Sequence, residues 1–170
     1  MRLLDAAEVD RLLDDRALIE AIAALFRDSA EVPLRHHHGI ATAGSPATLL
    51  LMPAWRGLQA AGVRHLGIKI VTVFPDNGAA GLPAVYGQYL LLSAETGQPL
   101  ALLDGTALTR RRTAAASALA SRFLSRADAQ RQRRSGKGAW APHLIRAHAG
   151  VRPIREVAIW GRSPDKADAL

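Results

Sequence analysis

The run Leu66-Gly67-Ile68-Lys69-Ile70-Val71-Thr72-Val73-Phe74 constrains this chain more than any other stretch. Its β-branched residues favour a strand, and its length suits a strand better than a helix. A lysine in its middle must either face water from an edge, with its stem snorkelling out, or point into a pocket. Other strand candidates flank it. Thr48–Met52 is a short apolar run closed by Pro53. Val85–Leu92 and Pro99–Leu103 enclose Ser93-Ala94-Glu95-Thr96-Gly97-Gln98, a hairpin signal with a glycine in its loop. Asp104-Gly105 predicts a further turn.

Two helices complete the first part. Asp14 and Asp15 precede Leu18, Ile19, Ile22, Leu25 and Phe26 at helical spacing, which predicts an amphipathic helix covering a sheet. Glu31-Val32-Pro33 ends that segment, because proline disfavours helix at the residue before it. Thr113–Leu124 reads as an alanine-rich helix with Leu119, Phe123 and Leu124 on one face. Hydrophobic residues make up 49 % of the chain, enough for a packed core. No internal repeat or low-complexity tract interrupts residues 1–125, so the expected class there is α+β.

After Arg126 the character changes. Gln130-Arg131-Gln132-Arg133-Arg134-Ser135 is polar, and Gly136-Lys137-Gly138-Ala139-Trp140-Ala141 follows. A helix is expected over His143–Ala149 and a strand over Val157–Trp160, which is the second half of a βαβ unit. Gly136-x-Gly138-x-x-Ala141 fits the dinucleotide fingerprint, whose glycines allow a tight turn and close approach to a pyrophosphate. Its weakness is the preceding segment. A central parallel strand is buried on both faces and should be apolar, so Arg133 and Arg134 would bury unpaired charge there. Residues 127–135 are therefore expected to stay irregular or to extend the preceding helix, with protease cutting between Arg126 and Lys137.

Charge follows the same division. Residues 1–109 carry 8 Lys/Arg and 11 Asp/Glu, whereas residues 110–170 carry 14 and 4. Such asymmetry can mean nucleic-acid binding, but Arg131–Lys137 lacks interleaved aromatics, which argues against it. There is no cysteine, so disulfides are excluded and a cytoplasmic address is expected. No signal peptide and no run of about 20 apolar residues is visible, so no membrane partner is expected.

Few residues can carry chemistry. Lys69 could hold a carboxylate or polarise an imine. Arg112, read as opening the alanine-rich helix, would add a bidentate carboxylate clamp to a helix N-terminus; a solvated basic turn with Arg110 and Arg111 is the alternative. Arg35 precedes His36-His37-His38 in an expected loop; ligands for a metal usually come from helical spacing or separate elements, so no metal is expected. Asp5, Asp76 and Asp104 stand in turn-like contexts and read as structural. In Trp160-Gly161-Arg162-Ser163 an arginine stands where an acid would bind a ribose 2′-hydroxyl, which favours a 2′-phosphate and hence NADP over NAD.

Leu51-Met52-Pro53-Ala54, Gly67–Asn77, Gly81-Leu82-Pro83, Thr96–Gly105 and Leu108–Ala115 together resemble the ornithine cyclodeaminase/mu-crystallin family. Val151–Val157 and Trp160-Gly161-Arg162-Ser163 continue the resemblance. It implies an α+β substrate-binding and dimerisation domain over residues 1–125, then the truncated start of an α/β Rossmann domain over residues 126–170. By position in that family, Arg35, Lys69 and Arg112 form the substrate-carboxylate set, and Lys69 orients the substrate or assists proton transfer. Arg112 and Thr113 would stand near the nicotinamide, with Gly136, Gly138, Ala139, Arg162 and Ser163 holding the cofactor.

Where ornithine cyclodeaminases carry a glutamate just before Leu-Met-Pro, this chain has Leu50. The resemblance then favours reductases of cyclic imino acids, which convert Δ1-pyrroline-2-carboxylate or Δ1-piperideine-2-carboxylate to proline or pipecolate with NADP or NAD. The alternatives are ornithine cyclodeaminase and a non-catalytic dimerisation or binding fragment. A homodimer is implied. Because family members run to roughly twice this length, the chain itself is expected to be inactive.

Overall fold

The computed structural model describes residues 1–57, 62–136 and 138–161. Nine strands and four helices occur among them: β1 Arg2–Leu4, α1 Ala6–Leu12, α2 Asp15–Leu25, β2 Ala30–Glu31, β3 His36–Ile40, β4 Ala47–Arg56 and β5 His65–Val73. A 3₁₀ turn at Pro75–Ala80 leads to β6 Val85–Ser93, β7 Pro99–Asp104, α3 Gly105–Leu124, β8 Arg131–Ser135, α4 Ala141–Ala149 and β9 Glu156–Trp160. The chain divides into two compact units, residues 1–11 with 27–108 and residues 12–26 with 109–170. This division follows packing and differs from the expected boundary at residue 125, because α2 and most of α3 cluster with the C-terminal segment.

The first unit is a mixed seven-stranded sheet in the order β1-β7-β6-β5-β4-β2, with β3 also paired to β4. Only β1 and β7 run parallel; the other pairs are antiparallel. The predicted hairpin is present as β6 and β7, and its loop turns at Gly97, whose φ of 73° an L side chain would resist. β5 lies between β4 and β6. That removes the edge-strand reading of Lys69.

Side-chain alternation sorts β5 into two faces. Gly67, Lys69 and Val71 share one face, on which Gly67, Val71, Gly87 and Ala101 are buried. Leu66, Ile68 and Ile70 share the other and are each only partly buried. Glycines permit two close approaches on the first face. A Cβ at Gly67 would lie 1.8 Å from Tyr89 Oη, so the phenol ring occupies the space a side chain would take. A Cβ at Gly105 would lie 2.7 Å from the backbone of Gly87 and Gln88. The start of α3 therefore crosses β6 at backbone contact.

Asp104-Gly105 is a helix start rather than a turn. Asp104 Oδ1 accepts from the Ala107 amide at 2.7 Å, and α3 runs 20 residues from Gly105. The expected start at Thr113 was eight residues late, since Thr-Ala-Leu-Thr-Arg-Arg-Arg lacks the apolar periodicity that announces a helix.

The second unit has a helical core. Ile19 and Ala23 of α2 meet Ala114, Ala115, Ala118 and Leu119 of α3 and Ala147 of α4, with Leu18, Ile22, Leu144 and Val151 around them. Within this unit α2 thus packs on helices, where the sequence predicts a sheet; an apolar stripe does not specify the shape of its partner. Asp14 caps α2, accepting from the Ala17 amide at 2.8 Å.

The largest correction concerns residues 131–135. They form β8, paired in parallel with β9 from Arg131↔Glu156 to Ser135↔Trp160. Alternation exposes Arg131, Arg133 and Ser135 and half-buries Gln132 and Arg134. Backbone pairing needs no apolar side chain, and a strand covered on one side leaves every second residue in water. The expected penalty is nevertheless visible: Arg134 Nε and Gln132 Oε1 are buried without a hydrogen-bond partner.

Candidate functional site

In the first unit the site is built along β4. β2 pairs Ala30 and Glu31 with Arg56 and Trp55, and β3 pairs His36–Ile40 with Leu51–Ala47. Between them the register slips by one residue, so Val32–Arg35 bulges away from Met52–Ala54. Pro33 and Pro53 lie in this gap, and neither has an amide to extend the ladder. The gap opens a cleft of about 400 Å³ lined by Val32, Pro33, Leu34, Arg35, Met52 and Pro53. Arg35 is its only charged residue.

Met52 connects this cleft to Lys69. Met52 and Lys69 are direct cross-strand partners, as are Lys69 and Tyr89. Directly opposed residues share a face, so Met52, Lys69 and Tyr89 form one row with Arg35 beside its β4 end. Lys69 is half-buried and is engaged with other groups of the protein. Burial pushes the Tyr89 phenol above its ordinary pKa. Leu50 pairs with Val71 on the same face, so an apolar side chain stands two residues along β4 from Met52, in the neighbouring row.

The remaining predicted residues belong to the second unit. Arg112 is exposed and stands at the eighth position of α3, so it does not open the helix and gains nothing from free N-terminal amides. Thr113 is half-buried and its Oγ1 has no hydrogen-bond partner. Its neighbour Arg111 is the buried cation, 5 % exposed. Arg111 pairs with Asp15 Oδ1 at 3.2 Å and donates to the Leu13 carbonyl. The sequence presents three adjacent arginines, and only helix packing separates the structural one from the exposed one.

Gly136 follows β8 with φ of 92°, and nothing lies within 4 Å of a Cβ built at Gly138. α4 then starts at Ala141 with no side-chain cap on its first turn. These features fit a dinucleotide cradle, with Gly136, Gly138 and Ala139 at the turn. Two features reduce its donors: Pro142 has no amide, and the Ala141 amide already bonds the Gly138 carbonyl at 2.9 Å. Arg162 and Ser163 lie outside the described residues.

A polar cluster joins α3 to α4. His148 Nε2 lies 3.1 Å from Ser117 Oγ and Nδ1 lies 3.0 Å from Ser121 Oγ. Burial, and secondarily the Arg134 charge, hold this imidazole below its ordinary pKa. Arg152 closes the C-terminus of α3, its Nη2 donating to the carbonyls of Ser121, Arg122 and Ser125 at 2.9, 2.7 and 2.9 Å. Carbonyls at a helix end lack onward intrahelical donors, although that of Ser121 also accepts from the Ser125 amide at 3.0 Å.

The family model for the ornithine cyclodeaminase/mu-crystallin family matches residues 1–170. The chain belongs to this family. A Δ1-pyrroline-2-carboxylate reductase of Colwellia psychrerythraea is 36 % identical over 173 residues, covering 100 % of this chain and 53 % of that protein. Among solved structures, Δ1-pyrroline-2-carboxylate reductase of Thermococcus litoralis, in complex with NADH and L-proline, aligns with a TM-score of 0.83 at 31 % identity. That alignment covers 99 % of this chain and 52 % of the other. An archaeal alanine dehydrogenase dimer with bound NAD aligns at a TM-score of 0.79 and 28 % identity, covering 99 % and 51 %. The chain thus spans about half the length of these family members. Among the described residues, no helix is long and apolar enough to cross a membrane.

Proposed function

We propose that this chain carries the substrate-holding part of a cytoplasmic, NAD(P)H-dependent reductase of cyclic imino acids, acting on Δ1-pyrroline-2-carboxylate or its six-membered homologue. The observation that carries this reading is the cleft on β4, with one guanidinium among apolar walls and Lys69 across Met52. A small ring bearing one carboxylate needs that combination. Arg35 binds the carboxylate through its planar fork, and Met52, Pro53 and Leu34 cover the ring carbons. Lys69 orients the C=N group and holds a proton near its nitrogen.

Arg112 joins the carboxylate set and Thr113 the nicotinamide side on the strength of the family resemblance. Residues 126–170 contribute to a nucleotide-binding domain, in which Gly136, Gly138 and Ala139 hold the pyrophosphate and Arg162 and Ser163 the ribose phosphate of NADP. When bound, the nicotinamide supplies the hydride. Leu50, on the same sheet face as Lys69, gives a second amine no carboxylate partner, which speaks against ornithine. The archaeal alanine dehydrogenase dimer among the similar structures supports a homodimer.

Calorimetric titration of the chain with pyrrole-2-carboxylate, a planar stable analogue of the imine, tests the reading. Saturable binding is expected, weakened by Arg35→Ala and by Lys69→Met, with L-ornithine binding more weakly. Equal or tighter binding of ornithine, or indifference to both substitutions, overturns it.

A further inference from the structure

The histidine triplet lies in β3 and not in the expected loop, and this changes what it can do. A strand sends successive side chains to opposite faces, so the three imidazoles do not act together. His36 pairs with Leu51 and His38 with Leu49, which puts both on one face; His37 pairs with Leu50 on the other. The rings of His36 and His38 have centroids 6.1 Å apart at an interplanar angle of 38°. All three residues are exposed on an edge strand. Both same-face rings are exposed, so side-chain rotation can turn one nitrogen of each toward a shared cation, at Zn–N distances of about 2.0–2.1 Å.

We propose that His36 and His38 form a two-imidazole chelate for a late first-row divalent cation, with His37 excluded from it. No group of three or more His, Asp or Glu that could hold a metal occurs among the described residues. The remaining coordination positions therefore go to water. Imidazole selects borderline cations over hard ones, so affinity follows Cu²⁺ over Ni²⁺ and Zn²⁺, with Mg²⁺ not bound. The inference does not depend on the reductase reading, because neither ring lines the Arg35 cleft.

Calorimetric titration of the full chain with CuCl₂, and separately with ZnCl₂, tests it. One equivalent per chain is expected. His36→Ala and His38→Ala should each weaken binding about tenfold or more, while His37→Ala stays within about twofold. Far-UV circular dichroism of the variants checks that the exposed substitutions leave the fold intact. Loss in His37→Ala equal to that in the other two would show a flexible triplet, and overturns the proposal. Saturation absent up to millimolar metal, or indifference to either His36 or His38, also overturns it.

Discussion

In the first unit, two close approaches are made where side chains are missing; in the second, two arginines tie helix ends together. Gly67 leaves room for the Tyr89 ring, and Gly105 lets α3 touch the β6 backbone. In the second unit Arg111 ties α3 to the start of α2, and Arg152 saturates the carbonyls ending α3. A glycine contact fails when atoms are added, because close-packed backbone has nowhere to go. An arginine contact fails when atoms are removed, because buried acceptors and a carboxylate lose their partner. The surface pair Arg131–Glu156 belongs to neither class. Both side chains are more than half exposed, at 76 % and 55 %, so solvent screens it and β8 is held by its ladder to β9.

The largest expected effect breaks the second unit. Arg111→Ala removes the partner of the Leu13 carbonyl and leaves Asp15 only the longer Arg146 pair at 3.8 Å, a loss of about 3 kcal/mol in chemical denaturation. Arg111→Met, which keeps the volume, should recover part of it. A loss under about 1 kcal/mol would show that solvent screens the pair and that Arg111 does not hold the second unit together.

The next effect belongs to the first unit. Gly105→Ala forces the start of α3 away from β6 and should cost about 1–3 kcal/mol. Gly39→Ala, where no atom lies within 4 Å of the added carbon, is the matched control and should be nearly neutral. Equal denaturation midpoints for the two variants would remove the steric account.

The smallest effect is a pH dependence in the second unit. His148 is held below its ordinary value of 6.5 by burial and by Arg134. In mildly acidic solution the unfolded chain then binds the proton better than the folded one. Stability from this site is therefore complete above about pH 6.5 and declines as the pH falls toward the folded value. His148→Gln keeps partners for Ser117 and Ser121 while removing the titration. Its melting temperature should fall less between about pH 7.5 and about pH 5.5 than that of the parent. Parallel pH profiles would exclude His148 as the source.

Periodicity and turn chemistry alone determined the β6–β7 hairpin, the β5 strand and the apolar stripe of α2. Each is a local property: alternation, a glycine in a loop, or a residue order that one strand or helix displays by itself. Tertiary structure decided the rest. That β5 is interior, and Lys69 with it, depends on which strands lie beside it, and strand order is not written in any one strand. The cleft at Arg35 arises from a register slip between β2 and β3 against β4, visible only once all three are paired. Arg111 and Arg112 are adjacent and identical in type, and the 100° turn of a helix sends one inward and one outward. β8 shows the same limit from the other side. Its side chains argue against a strand, yet its amides and carbonyls pair with β9, and backbone pairing is indifferent to what the side chains carry.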